Sequence, residues 1–336
     1  GKQGISLDVR KPRGKELFLK LIADFDVLVE NFRTGTLDQW GLDMPTLLAH
    51  NPRLIVLRLT GFGQTGPYAR KPGFARIFEA MSGLTHLSGE PDRPPQHTNY
   101  PMGDAISGLF GAFAIAAALV ERQSLPIEQQ RGQEIDLSAT EALFRLLDPL
   151  AAEHQFKGQA RARSGSCASY TAPSNVYQSA DGEWITLVGS SDPIFGRLAK
   201  AMGQADLAQD PRFAKNADRV RHRQVLVPQL EAIFKTRRKF DWLAALEAAK
   251  VPCGAINDLS EVFADAHVQS RGMVTHWTHP ARDDVQLVAS PLKLSGTPVR
   301  RDLPPPLLGQ HTHEVLRDVL HMSEADIEQL RLNKII

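Results

Sequence analysis

The sequence predicts an α/β fold, an open parallel sheet covered by helices, joined to a smaller α+β domain. Three observations carry this. Short β-branched and leucine-rich runs alternate with helically spaced apolar residues in the first third of the chain, the β-α-β-α-β order of a parallel sheet. A loop rich in Gly and Pro, 61–73, follows the third strand-like run. Farther on, Asp181-Gly182 between two β-rich runs gives a hairpin signal of a different, antiparallel kind.

In order, residues 5–9 read as a first short strand. Pro12 then opens a helix whose apolar face is Leu17, Phe18, Leu21 and Ile22. Residues 26–30 form a second strand, and a short helix over 44–50 ends at Asn51-Pro52. Residues 53–60 form a third strand. After the 61–73 loop comes a helix over 75–82, then an irregular stretch, 88–101, containing four prolines. An apolar helix follows Asp104 and ends near Glu121. Its uncharged run, 105–120, is shorter than the ~20 residues a membrane span needs, so it reads as a buried core helix. A strand over 131–137 leads to Ser138, the N-cap of a capping box with Glu141, and a helix to about Leu147.

Residues 158–169 are basic and rich in small residues, the composition of a linker or mobile loop. The hairpin follows, then helices over 193–250 and extended chain over 251–256. A rigid turn is expected at 304–306, with Thr312 and Ser323 as N-caps of the last two helices. The domain reading is 1–165 as a large domain, 170–280 as a small α+β domain, and 285–336 as a segment returning to the large one.

Composition narrows the function. Lys and Arg number 39 against 38 Asp and Glu, a formal charge of +1, which gives no electrostatic reason to expect nucleic acid or a membrane surface as partner. The two cysteines, Cys167 and Cys253, are too few for a disulfide framework or a structural zinc site and fit a reducing cytoplasm. The pairs His276/His279 and His311/His313 lack a third ligand at metal-like spacing. The chain opens at Gly1 and enters a strand almost at once, so a preceding N-terminal piece is expected. Gly61-Phe62-Gly63-Gln64-Thr65-Gly66 matches a dinucleotide-binding pattern, but Pro67 and Pro72 forbid the helix that pattern needs. Such a loop at the end of a parallel strand is still where ligands bind in open α/β sheets.

Three segments together resemble the class III CoA-transferases, the CaiB/BaiF or formyl-CoA transferase type. They are Val29-Glu30-Asn31-Phe32-Arg33 with Gly35 and Leu37-Asp38; the 61–68 loop with Lys71-Pro72-Gly73-Phe74; and Met102-Gly103-Asp104. Ile5 to Asp8, Arg131-Gly132-Gln133, Val251-Pro252-Cys253-Gly254 and Pro306 to Thr312 support them in family order. The resemblance implies a Rossmann-like large domain, an interlocked homodimer, and a chain that begins inside that domain.

It further implies that Asp104 is the nucleophile that attacks an acyl-CoA. A carboxylate suits this chemistry because it is ionised at neutral pH and forms an anhydride, which keeps the acyl group activated. Without the family, the bland reading of Asp104 is an N-cap before an apolar helix. The resemblance maps CoA contacts onto Leu7, Arg10, Asn31, Phe32, Arg33, Lys71, Pro72 and Phe74, with acyl-CoA as substrate and no tightly bound cofactor or metal. Read alone, Arg10 and Arg33 are as consistent with surface charges, and Phe32 with core. Gln39 replaces a usual Arg or Lys, and Ala75 replaces a carboxylate found in many members. Ser164 to Ser169, which includes Cys167, is the candidate for the loop that shields the acyl site. Two alternatives stay open at this point. One is an α-methylacyl-CoA racemase, disfavoured because no histidine lies between Pro72 and Met81. The other is an inert CoA-binding homologue.

Overall fold

In the computed structural model, which describes residues 1–300 and 303–336, the chain divides into two compact units. One comprises Gly1–Thr85, His97–Gln159 and Ser270–Ile336; the other comprises His86–Gln96 and Ala160–Gln269.

The chain begins with α1 (Pro12–Ile22), β1 (Val27–Glu30), α2 (Thr36–Gln39), α3 (Met44–His50) and β2 (Ile55–Thr60). It continues through α4 (Ala75–Met81), α5 (Leu84–Leu87), α6 (Met102–Ser124), β3 (Glu134–Ser138), α7 (Ala139–Arg145) and α8 (Asp148–Lys157). The three strands form a parallel sheet in the order β1-β2-β3, with Glu30 opposite Arg58 and Thr60 opposite Ser138. Leu19, Ile22, Leu42, Leu47, Leu54 and Val56 make one buried cluster of this unit. Pro12 lies at the start of α1 and Asn51 ends α3, as the sequence predicts; of the expected capping box the Ser138 half is present, its hydroxyl accepting the Glu141 N–H at 3.2 Å, without a return bond from the Glu141 side chain.

The second unit contains β4 (Ser174–Gln178), β5 (Trp184–Val188), α9 (Asp192–Ala201), α10 (Asn216–Arg221), α11 (Arg223–Phe234), α12 (Lys239–Ala248), β6 (Cys253–Ala255) and α13 (Leu259–Ala264). The expected hairpin is β4-β5, with Gly182 turning it in the left-handed region at φ 81°, a conformation that favours glycine. β6 pairs antiparallel with β5. In the core Phe234 stacks on Tyr177 at 4.8 Å and meets Trp242 at a 46° tilt, also at 4.8 Å. Beside it the fully buried Arg219 donates to the carbonyls of Ala172, Phe213 and Ser190 and pairs with Asp192 at 3.0 Å.

After α14 (Ala266–Ser270), the first unit resumes with the hairpin β7 (Val274–His279) and β8 (Arg282–Val288), then α15 (Thr312–Asp318) and α16 (Glu324–Leu332). Leu316, Ile327, Leu330 and Ile335 pack on Leu17 of α1.

Five expectations are corrected. Residues 5–9 form no strand. Backbone donors there are used elsewhere: Ser6 N–H on Thr312 Oγ1 and Asp8 N–H on the Ile335 carbonyl, with the preceding Gly4 N–H on His311 Nδ1. Thr312 is therefore no N-cap; it is the first residue of α15, with its hydroxyl spent on Ser6. Residues 304–306 are irregular, and the turn falls at 308–311. Asp104 lies inside the first turn of α6, whose N-cap position is Pro101.

Finally, α6 is not a buried helix. Its buried residues, Gly103, Ser107, Gly111, Ala118 and Arg122, form one narrow, mostly small-residue stripe that packs on the sheet and, at its start, on α4 and α7. A Cβ at Gly111 would come within 2.8 Å of a Leu57 methyl, so glycine sets the approach. Because small residues occupy that stripe, large ones point away: Leu109, Phe113 and Val120 are each about 70% exposed. The helix is 23 residues long and, by length and composition alone, apolar enough to cross a membrane.

Candidate active site

The site forms where the parallel strands end. Beyond β1 the chain runs through Asn31 to Thr34; beyond β2 it runs through Gly61 and returns past Ala69 to Phe74. Together with Asp104 on α6 these segments line a cavity of about 350 Å³. That volume lies in the range of small-molecule pockets, and the carboxyl ends of parallel strands are the expected place for one. The glycine pattern at 61–66 leads into turns rather than a helix, and the next helix begins at Ala75.

The loops are tied from below. Glu30 Oε2 accepts the Phe32 N–H at 2.8 Å. Burial pushes the Glu30 carboxyl above its ordinary value, opposed by that hydrogen bond and by Arg58. Arg58, itself buried on β2, lies among three carboxylates: Asp38 at 3.1 Å, Glu134 at 3.7 Å and Glu30 at 4.0 Å. Thr34 Oγ1 donates to the Gly63 carbonyl, and Asp136 accepts the Gln64 N–H through both oxygens at 3.0 Å. These bonds hold the two loops at a fixed spacing.

Six expected site residues share this cavity: Asn31, Phe32, Arg33, Lys71, Phe74 and Asp104. Asp104 is exposed on it, not sealed in packing. Lys71 Nζ sits 4.0 Å over the Tyr68 ring, and Phe74 is 85% exposed. Pro72 lines neither this cavity nor the next one. Leu7 and Arg10 line a second cavity of about 390 Å³, together with Phe32, Trp40 and Ile335. Arg10 is paired there with Asp8 at 2.8 Å, and it holds the Asp8 carboxyl below its ordinary value. Phe32 lines both cavities and meets the Trp40 ring edge-on at 5.1 Å.

Gln39 is exposed on α2, and Ala75 is buried where α4 starts. One turn beyond Ala75, Glu79 is buried. In the second unit burial pushes the Cys167 thiol up, away from the reactive thiolate. His276 and His313 face Asp284 and Glu324, while His311 Nδ1 accepts from Gly4. No cluster of three metal-ligating side chains occurs among the described residues.

Sequence reasoning missed Thr34, Thr60, Ala69 and Phe78 as lining, and Trp40 in the second cavity. Adjacency to the matched motifs could have found Thr34, Thr60 and Ala69; Phe78, one helical turn past Phe74, and Trp40, two residues past Asp38, are a step further off. It also missed Glu79, which carries no local signal.

Comparison with known proteins identifies the family. The model of CoA-transferase family III matches residues 1–312. The chain is 38% identical to a succinyl-CoA–D-citramalate CoA-transferase of Chloroflexus aurantiacus, covering all of this chain and 82% of that one. It is 31% identical to the mouse succinyl-CoA:glutarate CoA-transferase, covering all of this chain and 76% of the relative. A crystal structure of a CaiB/BaiF family protein from Brucella suis superposes with a TM-score of 0.84 at 34% identity, over 95% of this chain and 82% of that one. A match across this much sequence, on the same fold, makes the chain a member of CoA-transferase family III.

Proposed function

We propose that the protein moves CoA from succinyl-CoA to a small dicarboxylic or hydroxy acid through an anhydride on Asp104. The observation that carries this is the placement of the exposed Asp104 carboxylate in one cavity with Arg33 and Lys71. The names of the relatives support the donor class.

In the first step an Asp104 oxygen attacks the thioester carbonyl, the C–S bond breaks, and CoA leaves as thiolate. The acceptor carboxylate attacks the aspartyl carbonyl and expels the donor acid, forming a second anhydride. Thiolate then attacks the acceptor's carbonyl and frees Asp104. No proton need be removed from the nucleophile, because a carboxylate is already anionic.

The first turn of α6 favours an anion by ~0.3–1 kcal/mol. Asp104's own N–H has no acceptor among the described residues and is free to meet a developing oxyanion. Arg33 and Lys71 supply charge for the CoA phosphates, and Phe32 and Phe74 supply apolar walls. Leu7 and Arg10, in the adjoining cavity past Phe32, extend the contact surface, while Pro72 shapes the Lys71 loop.

The reading includes a homodimer, since the large residues of α6 need a cover that one chain does not give them. It also includes the cytoplasm as its place, from two cysteines that form no disulfide. The test is mass spectrometry of acid-quenched protein after mixing with succinyl-CoA. A succinyl adduct on Asp104 is expected, and Asp104→Ala should lose both adduct and turnover; retained turnover in that variant refutes the proposal. Light scattering reads the dimer.

A further inference from the structure

Glu79, on α4, is only 1% exposed, and the reaction as outlined gives it no role. A buried carboxylate needs donors for its oxygens, because an unpaired charge out of water is costly. Oε1 accepts the Gly103 N–H at 3.4 Å, and Oε2 lies 3.4 Å from His97 Nδ1. That imidazole nitrogen is also 3.3 Å from Thr85 Oγ1. Gly103 immediately precedes Asp104.

A helix leaves its first N–H groups without partners inside the helix. In α6 the N-cap position is Pro101, which offers no side-chain cap. Met102 N–H bonds to the Tyr100 carbonyl at 2.9 Å and Ala105 N–H to the Pro101 carbonyl at 3.2 Å. Gly103 N–H goes to Glu79. Of the first turn, that leaves Asp104's own N–H. The cap for α6 thus comes from a different helix, and the two are in close contact there. A Cβ at Gly103 would lie 3.3 Å from the Ala75 carbonyl oxygen and 3.4 Å from its Cα.

We propose that Glu79 is a positioning residue for Asp104: steadied by His97, its carboxylate caps the Gly103 N–H and fixes the first turn of α6, so that the Asp104 carboxylate and N–H stay on the cavity. The proposal rests on Asp104 being the nucleophile. Its leverage is geometric, because displacement of a reacting group by about 1 Å costs on the order of 100-fold in rate.

The test compares Glu79→Leu, Glu79→Gln and His97→Leu. It measures kcat and KM with succinyl-CoA, melting temperature, and the rate and extent of Asp104 adduct formation. Glu79→Leu should lose about 10- to 100-fold in kcat with KM within about threefold, and still reach full adduct, slowly. Glu79→Gln keeps an oxygen for Gly103 and should return to within about fivefold of the parent. Parental kcat in Glu79→Leu, or a Glu79→Gln as slow as Glu79→Leu, overturns the proposal. Should Glu79→Leu not fold, His97→Leu decides: it leaves the cap unsteadied and should lower kcat about threefold or more, and parental kcat there overturns the proposal as stated. Asp104→Ala, run alongside, separates the two readings. Turnover in it sinks the nucleophile assignment; an inactive Asp104→Ala beside a fully active Glu79→Leu sinks only the positioning role.

Discussion

Glu30 and Phe32 are joined side chain to backbone: Glu30 Oε2 accepts the Phe32 N–H at 2.8 Å, so the last residue of β1 anchors an aromatic ring that lines both cavities. This anchor has a pH signature. Because burial raises the Glu30 carboxyl above its ordinary value of 4.5, the folded chain binds that proton more readily than the unfolded one. Ionised Glu30 therefore lowers stability at neutral pH, and the deficit closes as pH falls through the raised value toward 4.5. Glu30→Gln, which keeps the acceptor, should melt above the parent at pH 7.5, with the gap closing on acidification. Thermal melts across that range check it; a gap that widens in acid contradicts it.

Arg33 and Lys71 line the Asp104 cavity from two different loops. Truncating either to Ala should raise KM for acyl-CoA by about 5- to 50-fold and leave kcat nearly unchanged, the pattern of lost uniform binding. Steady-state kinetics with succinyl-CoA give the answer. A fall in kcat at constant KM would instead place them at the chemical step.

Gly111 sets how closely α6 lies on the sheet. Gly111→Leu forces a side chain into Leu57 and should cost about 1–3 kcal/mol through overpacking. A lowered melting temperature is the readout, and Gly111→Ala should fall between the two.

In the second unit, Arg219 satisfies three backbone carbonyls and one carboxylate at once. Arg219→Met takes the donor from the Ala172, Phe213 and Ser190 carbonyls, while Asp192 keeps the Asn216 N–H and Lys215. A loss of roughly 3 kcal/mol is expected, the low end for a broken buried pair because Asp192 keeps some solvent. Denaturant unfolding measures it.

Legibility followed the range of the interactions involved. Asn51-Pro52, Ser138 with Glu141, and Asp181-Gly182 act within a few residues, and each element they punctuate lies where the sequence predicts it. The cavity was legible through the segments that follow β1 and β2, since ligand loops gather at strand ends. What failed depends on remote partners. Residues 5–9 have strand character, yet the N–H groups of Ser6 and Asp8 are taken by Thr312 and Ile335, near the other end of the chain. Helix α6 reads as core because its composition is apolar, but composition does not say which side meets the sheet. Glu79 looks like any helix charge until Gly103 and His97 fold against it.

The edge-on contact of Phe32 with Trp40 gives the protein a built-in optical reporter. An indole bordering the second cavity has its surroundings changed by whatever enters there, and its emission should shift accordingly. Titrating Asp104→Ala, whose turnover the proposed mechanism removes, with free CoA should then yield an occupancy curve with no label, and Trp40→Phe should abolish its Trp40 component.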